Sequence, residues 1–202
     1  MRQEERKERS RNLIIKAAME EFASSGYGAA SIEIICNRHG ISKGMMYHYF
    51  HGKDELFLEC VRQISLSLAE HVRARMDSLD RDNPSAAIAG FFLLREAFFK
   101  DRPVEMRIYE EALIHPPKSL ENDIDRIREP LKELNWSFVR SAVRQLPLRD
   151  GISEDMATRY INSIIPTFRT ILTSYSSQDD LHGILDSTGR LLDMLLFGIG
   201  RA

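Results

Sequence analysis

The residues of most chemical interest lie between Cys36 and Lys53. Ser42, Lys43, Gly44, Tyr47 and His48 fall within seven positions and combine small, hydrogen-bonding and cationic side chains. On one face of a short helix they suit a surface pressed into a major groove, where base edges and phosphates offer donors and acceptors. The same polar face also fits the outer surface of a plain helical hairpin. A second chemistry is written over the same stretch. Cys36, His39, His48 and His51 form a C-x2-H-x8-H-x2-H series. Zinc needs four such ligands to converge on a tetrahedron. With Cys36 directed to a core and His48 outward, they cannot converge, so no metal is expected. Gly26-x-Gly28-x-x-Ser31 is an incomplete dinucleotide fingerprint with no strand before it, and it reads as a loop. The chain has no G-x-x-x-x-G-K-[ST], H-E-x-x-H or S-x-x-K motif. Neither an enzyme nor a cofactor is therefore expected.

The elements that must position these residues are helices. Glycine and proline are few, at 11 and 7 in 202 residues. Apolar residues recur three and four apart, the helix period, and no segment alternates like a strand. The first helix is predicted over about Ser10 to Ser24, with Ile14, Ala17, Ala18 and Phe22 on one face and Gly26 and Gly28 ending it. Ser31 and Ser42 have the chemistry of N-caps. They predict helices over Ile32 to His39 and Lys43 to Tyr49, separated by Gly40. Ile35 and Ile41 pin this pair together, with Cys36 buried beside them. A fourth helix follows, from Lys53 to about Leu79, 27 residues or about 40 Å long. Helix, short break with Gly, and second helix form the helix-turn-helix pattern.

Composition sets the frame. The chain carries 28 Lys+Arg and 30 Asp+Glu, and 43% of its residues are hydrophobic, as in a soluble globular protein. Residues 1–53 hold nine basic and six acidic residues, and residues 54–202 hold 19 and 24. A net +3 head thus precedes a net −5 body, and the head suits an anionic partner. No uncharged stretch approaches the roughly 20 residues that span a bilayer, and the start has no signal-peptide pattern. Two cysteines are too few for a disulfide framework. A cytoplasmic protein without membrane attachment is the expectation.

The stretch from Tyr27 to Phe50, YGAASIEIICNRHGISKGMMYHYF, resembles the DNA-binding signature of the TetR (tetracycline-repressor) family. The lead-in Ala17-Ala18 to Phe22-Gly26-Tyr27 and the following Gly52-Lys53-Asp54-Glu55-Leu56 are similar to the same family. The resemblance covers roughly residues 10–60. It implies a three-helix, homeodomain-like DNA-binding domain at residues 1–52 and a helical effector-binding and dimerisation domain at 53–202, about nine helices in all. It implies that Ser31 touches phosphate and that Ser42, Lys43 and Gly44 open the recognition helix. Gly44 lets the backbone approach DNA. Tyr47 and Tyr49 stand at aromatic positions, with the Tyr47 hydroxyl reaching the backbone. His48 stands where a base-edge or phosphate contact occurs, and Lys53 anchors the fourth helix on phosphate. Met45 departs from the family's usual Thr. Its apolar chain can meet a thymine methyl but cannot hydrogen-bond, so the operator should differ. Cys36 replaces a usual Ala, Ile34 a residue often acidic, and Glu21 one often apolar.

The body beyond Lys53 reads as a bundle. Helices are predicted over Ser85–Lys100, Pro103–Ile114, Lys118–Gln145, Ser153–Tyr175 and Leu181–Gly198, with Pro130 and Pro166 kinking or splitting two of them. Phe98, Phe99, Met106, Tyr109 and Trp136 are candidate ligand-binding residues, a largely apolar set, and each equally fits plain core. The apolar runs Ile161 to Leu172 and Leu181 to Phe197 either close the monomer's core or form a homodimer interface. The resemblance implies the latter. The expected function is a transcriptional regulator, a repressor that a small apolar or aromatic effector releases from a palindromic double-stranded operator. The competing class is a helical DNA-binding protein gated by a protein partner.

Overall fold

The computed structural model describes residues 3–165 together with Phe168, Arg190, Asp193, Met194 and Leu196. Among them are eight helices and no strand element. These are α1 (Gln3–Ala29), α2 (Ile32–His39), α3 (Lys43–Tyr49), α4 (Lys53–Met76), α5 (Pro84–Phe99), α6 (Pro103–Ile114), α7 (Glu121–Val143) and α8 (Glu154–Ile164). The chain forms two compact units. The first joins Met1–Ser67 to Asp101–Glu129, and the second joins Leu68–Lys100 to the described residues from Pro130 onward. This is a division by packing. A functional division between residues 52 and 53 is a separate matter.

The core of the first unit follows the expected stripe. Ile14, Ala18 and Phe22 of α1 are buried with Ile35, Ile41, Met46, Phe50, Leu56 and Phe57. The Phe57 ring meets Phe22 edge-on at 5.1 Å and Tyr27 at 5.0 Å, favourable aromatic geometries. Cys36 and Cys60 are free and buried, and burial pushes both thiols up. In the second unit Phe91 stacks on Phe138 at 4.1 Å. Arg95 lies over the Phe91 ring at 4.4 Å, donates to the Phe91 carbonyl and bonds to Asn135.

Caps fix α2 and α3 at the predicted bounds. Ser31 accepts from the Ile34 N–H at 3.2 Å and Ser42 from the Met45 N–H at 3.1 Å. Gly40 takes φ 64°, the left-handed stop of α2, which glycine adopts without steric cost.

Helix α4 ends at Met76 rather than near Leu79 and α7 begins at Glu121 rather than Lys118, and three further features differ from expectation. The first helix starts at Gln3, not near Ser10, because its charged first turns need no apolar partner to stay helical. It also runs past Gly26, where the backbone breaks at φ 75°, ψ 162° and then resumes one short turn. In an unbroken helix the Tyr27 N–H would donate to the Ala23 carbonyl. Here the Tyr27 N–H donates to Glu111 Oε1 at 2.9 Å, and the Ala23 carbonyl accepts from Arg107 at 3.1 Å. Two side chains of α6, four residues apart, thus satisfy both halves of the missing bond. Lastly, α7 is not split by Pro130. Pro130 is exposed, so the Arg126 carbonyl that it leaves without a helical donor can turn to water. The expected kink at Pro166 lies outside the described residues.

The break makes two nearby glycines opposite in sign. Gly26→Ala should destabilise the protein by about 1–3 kcal/mol, since φ 75° with ψ near 160° suits glycine almost alone. Gly28 sits in the resumed turn, with no atom within 4 Å of an added Cβ. Gly28→Ala should be neutral or stabilising by up to about 1 kcal/mol. Urea unfolding of the two variants checks the pair, and equal midpoints would contradict the glycine-specific break.

Candidate nucleic-acid interface

Helix α3 has an inward and an outward face. Met46 is fully buried and Phe50, just past its end, is 2% exposed. These two anchor the helix against the core. Ser42, Lys43, Gly44, Tyr47 and His48 are all exposed, Tyr47 at 53%. Positions 43, 44, 47 and 48 share a face at helical spacing. Met45 is half-buried beside it. No atom lies within 4 Å of a Cβ built on Gly44, so its surface is open to close approach. Both cap hydroxyls spend a lone pair on backbone N–H groups and keep their own O–H to donate. Ser31 and Ser42 can therefore cap a helix and bond a phosphate together.

Two positions sit differently from the rest. Tyr49 is half-buried, its ring edge-on to His48 at 4.8 Å. It lines an open groove with Arg11, Asp54 and Arg62, rather than joining the Tyr47 face. Lys53 donates to the Tyr27 carbonyl at 2.9 Å, and its ammonium stands 4.3 Å from the Tyr27 ring centroid. Two of its three N–H donors remain for a phosphate. The Tyr27 hydroxyl in turn donates to Asp54 at 2.7 Å. Burial, then this carboxylate, raises the Tyr27 pKa to about 12.

The electrostatics include partners that the sequence did not announce. Lys43 forms a 2.8 Å ion pair with Glu33 of α2. The hydrogen bond and the charge of Lys43 hold the Glu33 carboxyl below its usual range, and the same contact raises Lys43. Glu21, in place of an apolar residue, is only 2% exposed, and it accepts from Arg38 at 2.8 Å and Ser25 at 2.9 Å. A buried carboxylate is tolerated when paired and hydrogen-bonded in this way. Only the i, i+4 spacing of Glu21 and Ser25 was available as a signal. The Glu33 and Glu21 ion pairs join different helices.

The five candidate ligand residues are not gathered in one unit. Phe98 and Phe99 are buried in the second, their rings edge-on at 4.8 Å, with His71 at 5.4 Å from Phe98. Trp136 belongs to that unit too and is 37% exposed. Met106 and Tyr109 lie half-buried on α6 in the first unit, with the Arg128 guanidinium 5.9 Å from the Tyr109 ring. A cavity of about 210 Å³ in the second unit is lined by Met76, Ala87, Ser137, Phe138 and Ala142 among others, and by none of the five. Of the candidate dimer residues, Ile161, Ile165, Phe168 and Leu196 are buried, and Phe168 packs on Phe92 at 4.5 Å. Ile171, Leu172, Leu181, Ile184, Leu185, Leu191, Leu192, Leu195 and Phe197 lie outside the described residues.

Residues 14–60 match the family described as bacterial regulatory proteins, tetR family. The HTH-type transcriptional regulator BetI 2 of Chromohalobacter salexigens is 38% identical over 78 residues, 39% of this chain. The matched part spans only 38% of that relative's length. Solved structures match along nearly the whole chain. A TetR family transcriptional regulator from Chloroflexus aurantiacus has a TM-score of 0.72 at 20% identity, covering 96% of this chain and 95% of its own. The transcriptional regulator FadR from Bacillus subtilis, in complex with stearoyl-CoA, has a TM-score of 0.68 at 16% identity, covering 93% and 98%. At such identities the likeness is one of fold.

The two caps give a direct check on how the interface is held. Ser31→Ala and Ser42→Ala should each cost about 1 kcal/mol of folding free energy, read as a lower urea midpoint. Ser42→Ala should also loosen the first turn of α3, seen as faster amide exchange at Met45. Unchanged exchange there would show that the hydroxyl does not hold the helix start.

Proposed function

We propose that this chain, whose residues 14–60 match the family described as bacterial regulatory proteins, tetR family, is a sequence-specific transcriptional regulator acting as a repressor. The observation that carries the reading is the exposed face of α3. Ser42, Lys43, Gly44, Tyr47 and His48 stand together on a helix locked from behind by Met46 and Phe50. A rigid helix with donors, one cation and a bare glycine on its free face fits the major groove. Ser31 and Lys53 supply phosphate contacts, which orient the protein without reading sequence. One such helix reads one half-site, so tight binding needs a homodimer on a palindromic operator. We place that interface on the apolar residues between Ile161 and Phe197 that the chain's own core does not already bury, Ile161, Ile165, Phe168 and Leu196 being part of that core. No helix among the described residues is long and apolar enough to cross a membrane, and we place the protein in the cytoplasm with its DNA.

The functional division falls between residues 52 and 53, with DNA binding before it and effector binding and dimerisation after it. The effector is a small, mainly apolar or aromatic molecule. The stearoyl-CoA held by the fold neighbour FadR supports an apolar effector. Release works through α4. This single 24-residue helix, about 36 Å long, begins three residues after the last buried anchor of α3 and ends in the second unit. Ligand binding that tilts it changes the spacing of two recognition helices in a dimer. The ligand must favour the DNA-incompetent state by about 1.4 kcal/mol for each tenfold loss of affinity.

Two measurements test this. Tyr47→Phe and Lys53→Ala should weaken binding to all duplexes, with Lys53→Ala lowering the salt slope by about one. Met45→Thr should instead change the preferred sequence. Intact binding and salt dependence in the Tyr47, Lys53 double variant would rule out this docking. For the effector, apolar and aromatic compounds that raise the melting temperature should release the duplex. Compounds that stabilise the fold yet leave duplex affinity unchanged would refute the coupling.

A further inference from the structure

The Glu33–Lys43 pair has a geometry that bears on how tightly the interface can hold DNA. Lys43 is the first residue of α3 and Glu33 the second of α2. Their side chains meet at 2.8 Å while remaining 58% and 66% exposed. Such an exposed pair adds little to folding stability. The location is what matters. Both residues lie within one helical turn of the caps Ser31 and Ser42, whose hydroxyls keep an O–H that can donate to a phosphate. A carboxylate offers an ammonium the same anionic oxygen acceptor that a phosphodiester offers.

We infer that Glu33 is an affinity-setting residue, whose carboxylate occupies the Lys43 ammonium in place of a DNA phosphate and must be displaced or shared when DNA binds. It acts through Lys43 and is a positioning residue, not a contact to bases. This rests on the DNA-binding reading of α3. Because a phosphate contact adds to every sequence alike, Glu33 lowers affinity for operator and mixed DNA by the same factor. The gain is in release. An effector changes DNA affinity by a fixed factor, and it empties the operator only when the starting affinity is near the working concentration. A permanently free Lys43 would raise that starting point.

The test is a salt-dependent titration of wild type, Glu33→Gln, Lys43→Gln and the double variant. Two duplexes are used, one of mixed sequence and one enriched by the wild type from a random pool. At about 50 mM salt Glu33→Gln should bind both duplexes roughly threefold to tenfold tighter, with the slope of log K against log salt steeper by about 0.9, the signature of one added phosphate contact. In the Lys43→Gln background the same change should leave the slope where it was. A merely structural role for Glu33 would not move the slope, and matched melting curves confirm that all four proteins are folded. Glu33→Gln with wild-type affinity and slope would overturn the inference while leaving DNA binding intact. Equal strengthening with and without Lys43 would also overturn it, since Glu33 would then act by simple repulsion of phosphate. A wild type that retains neither duplex at low salt would remove the DNA-binding reading and this inference together.

Discussion

The hydrogen bond that α1 does not make is the constraint on which the first unit is built. At Gly26 the helix gives up the Tyr27 N–H to Ala23 carbonyl link, and α6 replaces it with Glu111 on one side and Arg107 on the other. Breaking the helix there redirects the chain toward Ser31, so that α2 and α3 can fold back beneath α1. It also turns Tyr27 against Phe57 and offers its carbonyl to Lys53. The start of α4 is thereby tied to the same point. Backbone groups freed by a break must find partners or water. The partners here come from a helix more than 75 residues away in sequence, so the head depends on α6 as much as on its own segments.

Charge inside the first unit is managed by the same logic of replacement. Glu59 is nearly buried, which pushes its carboxyl up, yet hydrogen bonds from Arg11, Gln63 and Arg62 more than offset this and hold it low. Glu21 is enclosed further and answered by Arg38 and Ser25. Arg11 and Arg38 reach these acids from α1 and α2, so each pair fixes one helix against another at a cost in desolvation. The basic head read from composition is thus partly consumed within itself. Of its cations, Arg11 and Arg38 serve the fold, and Lys53 and Lys43 are engaged by Tyr27 and Glu33.

What was legible in the sequence was local. The bounds of α2 and α3 emerged at Ser31, Gly40 and Ser42 because capping chemistry acts over three or four residues. The buried stripe from Ile14 to Phe22 followed from its period. The outward set Ser42, Lys43, Gly44, Tyr47 and His48 followed once Met46 and Phe50 were inward. What stayed hidden depended on distant residues. Nothing around Glu111 marks it as the acceptor for Tyr27, and Glu33 and Lys43 reveal their pairing only when two helices cross. The aromatic candidates show the same limit. Periodicity cannot separate a ring that lines a pocket from one that fills a core, and Phe98 and Phe99 prove to be buried beside each other while Trp136 is half-exposed.

The two cysteines carry a practical consequence. Cys60 is sealed between α1 and α4 with its thiol near the Ile15 carbonyl, and Cys36 is enclosed between the helices of the turn. Neither presents a thiolate to solvent at neutral pH. The wild-type chain is thus already a silent background for site-directed labelling. A spin label or fluorophore attached to a cysteine placed at exposed Met156 would report from one known position, with no native residue first removed.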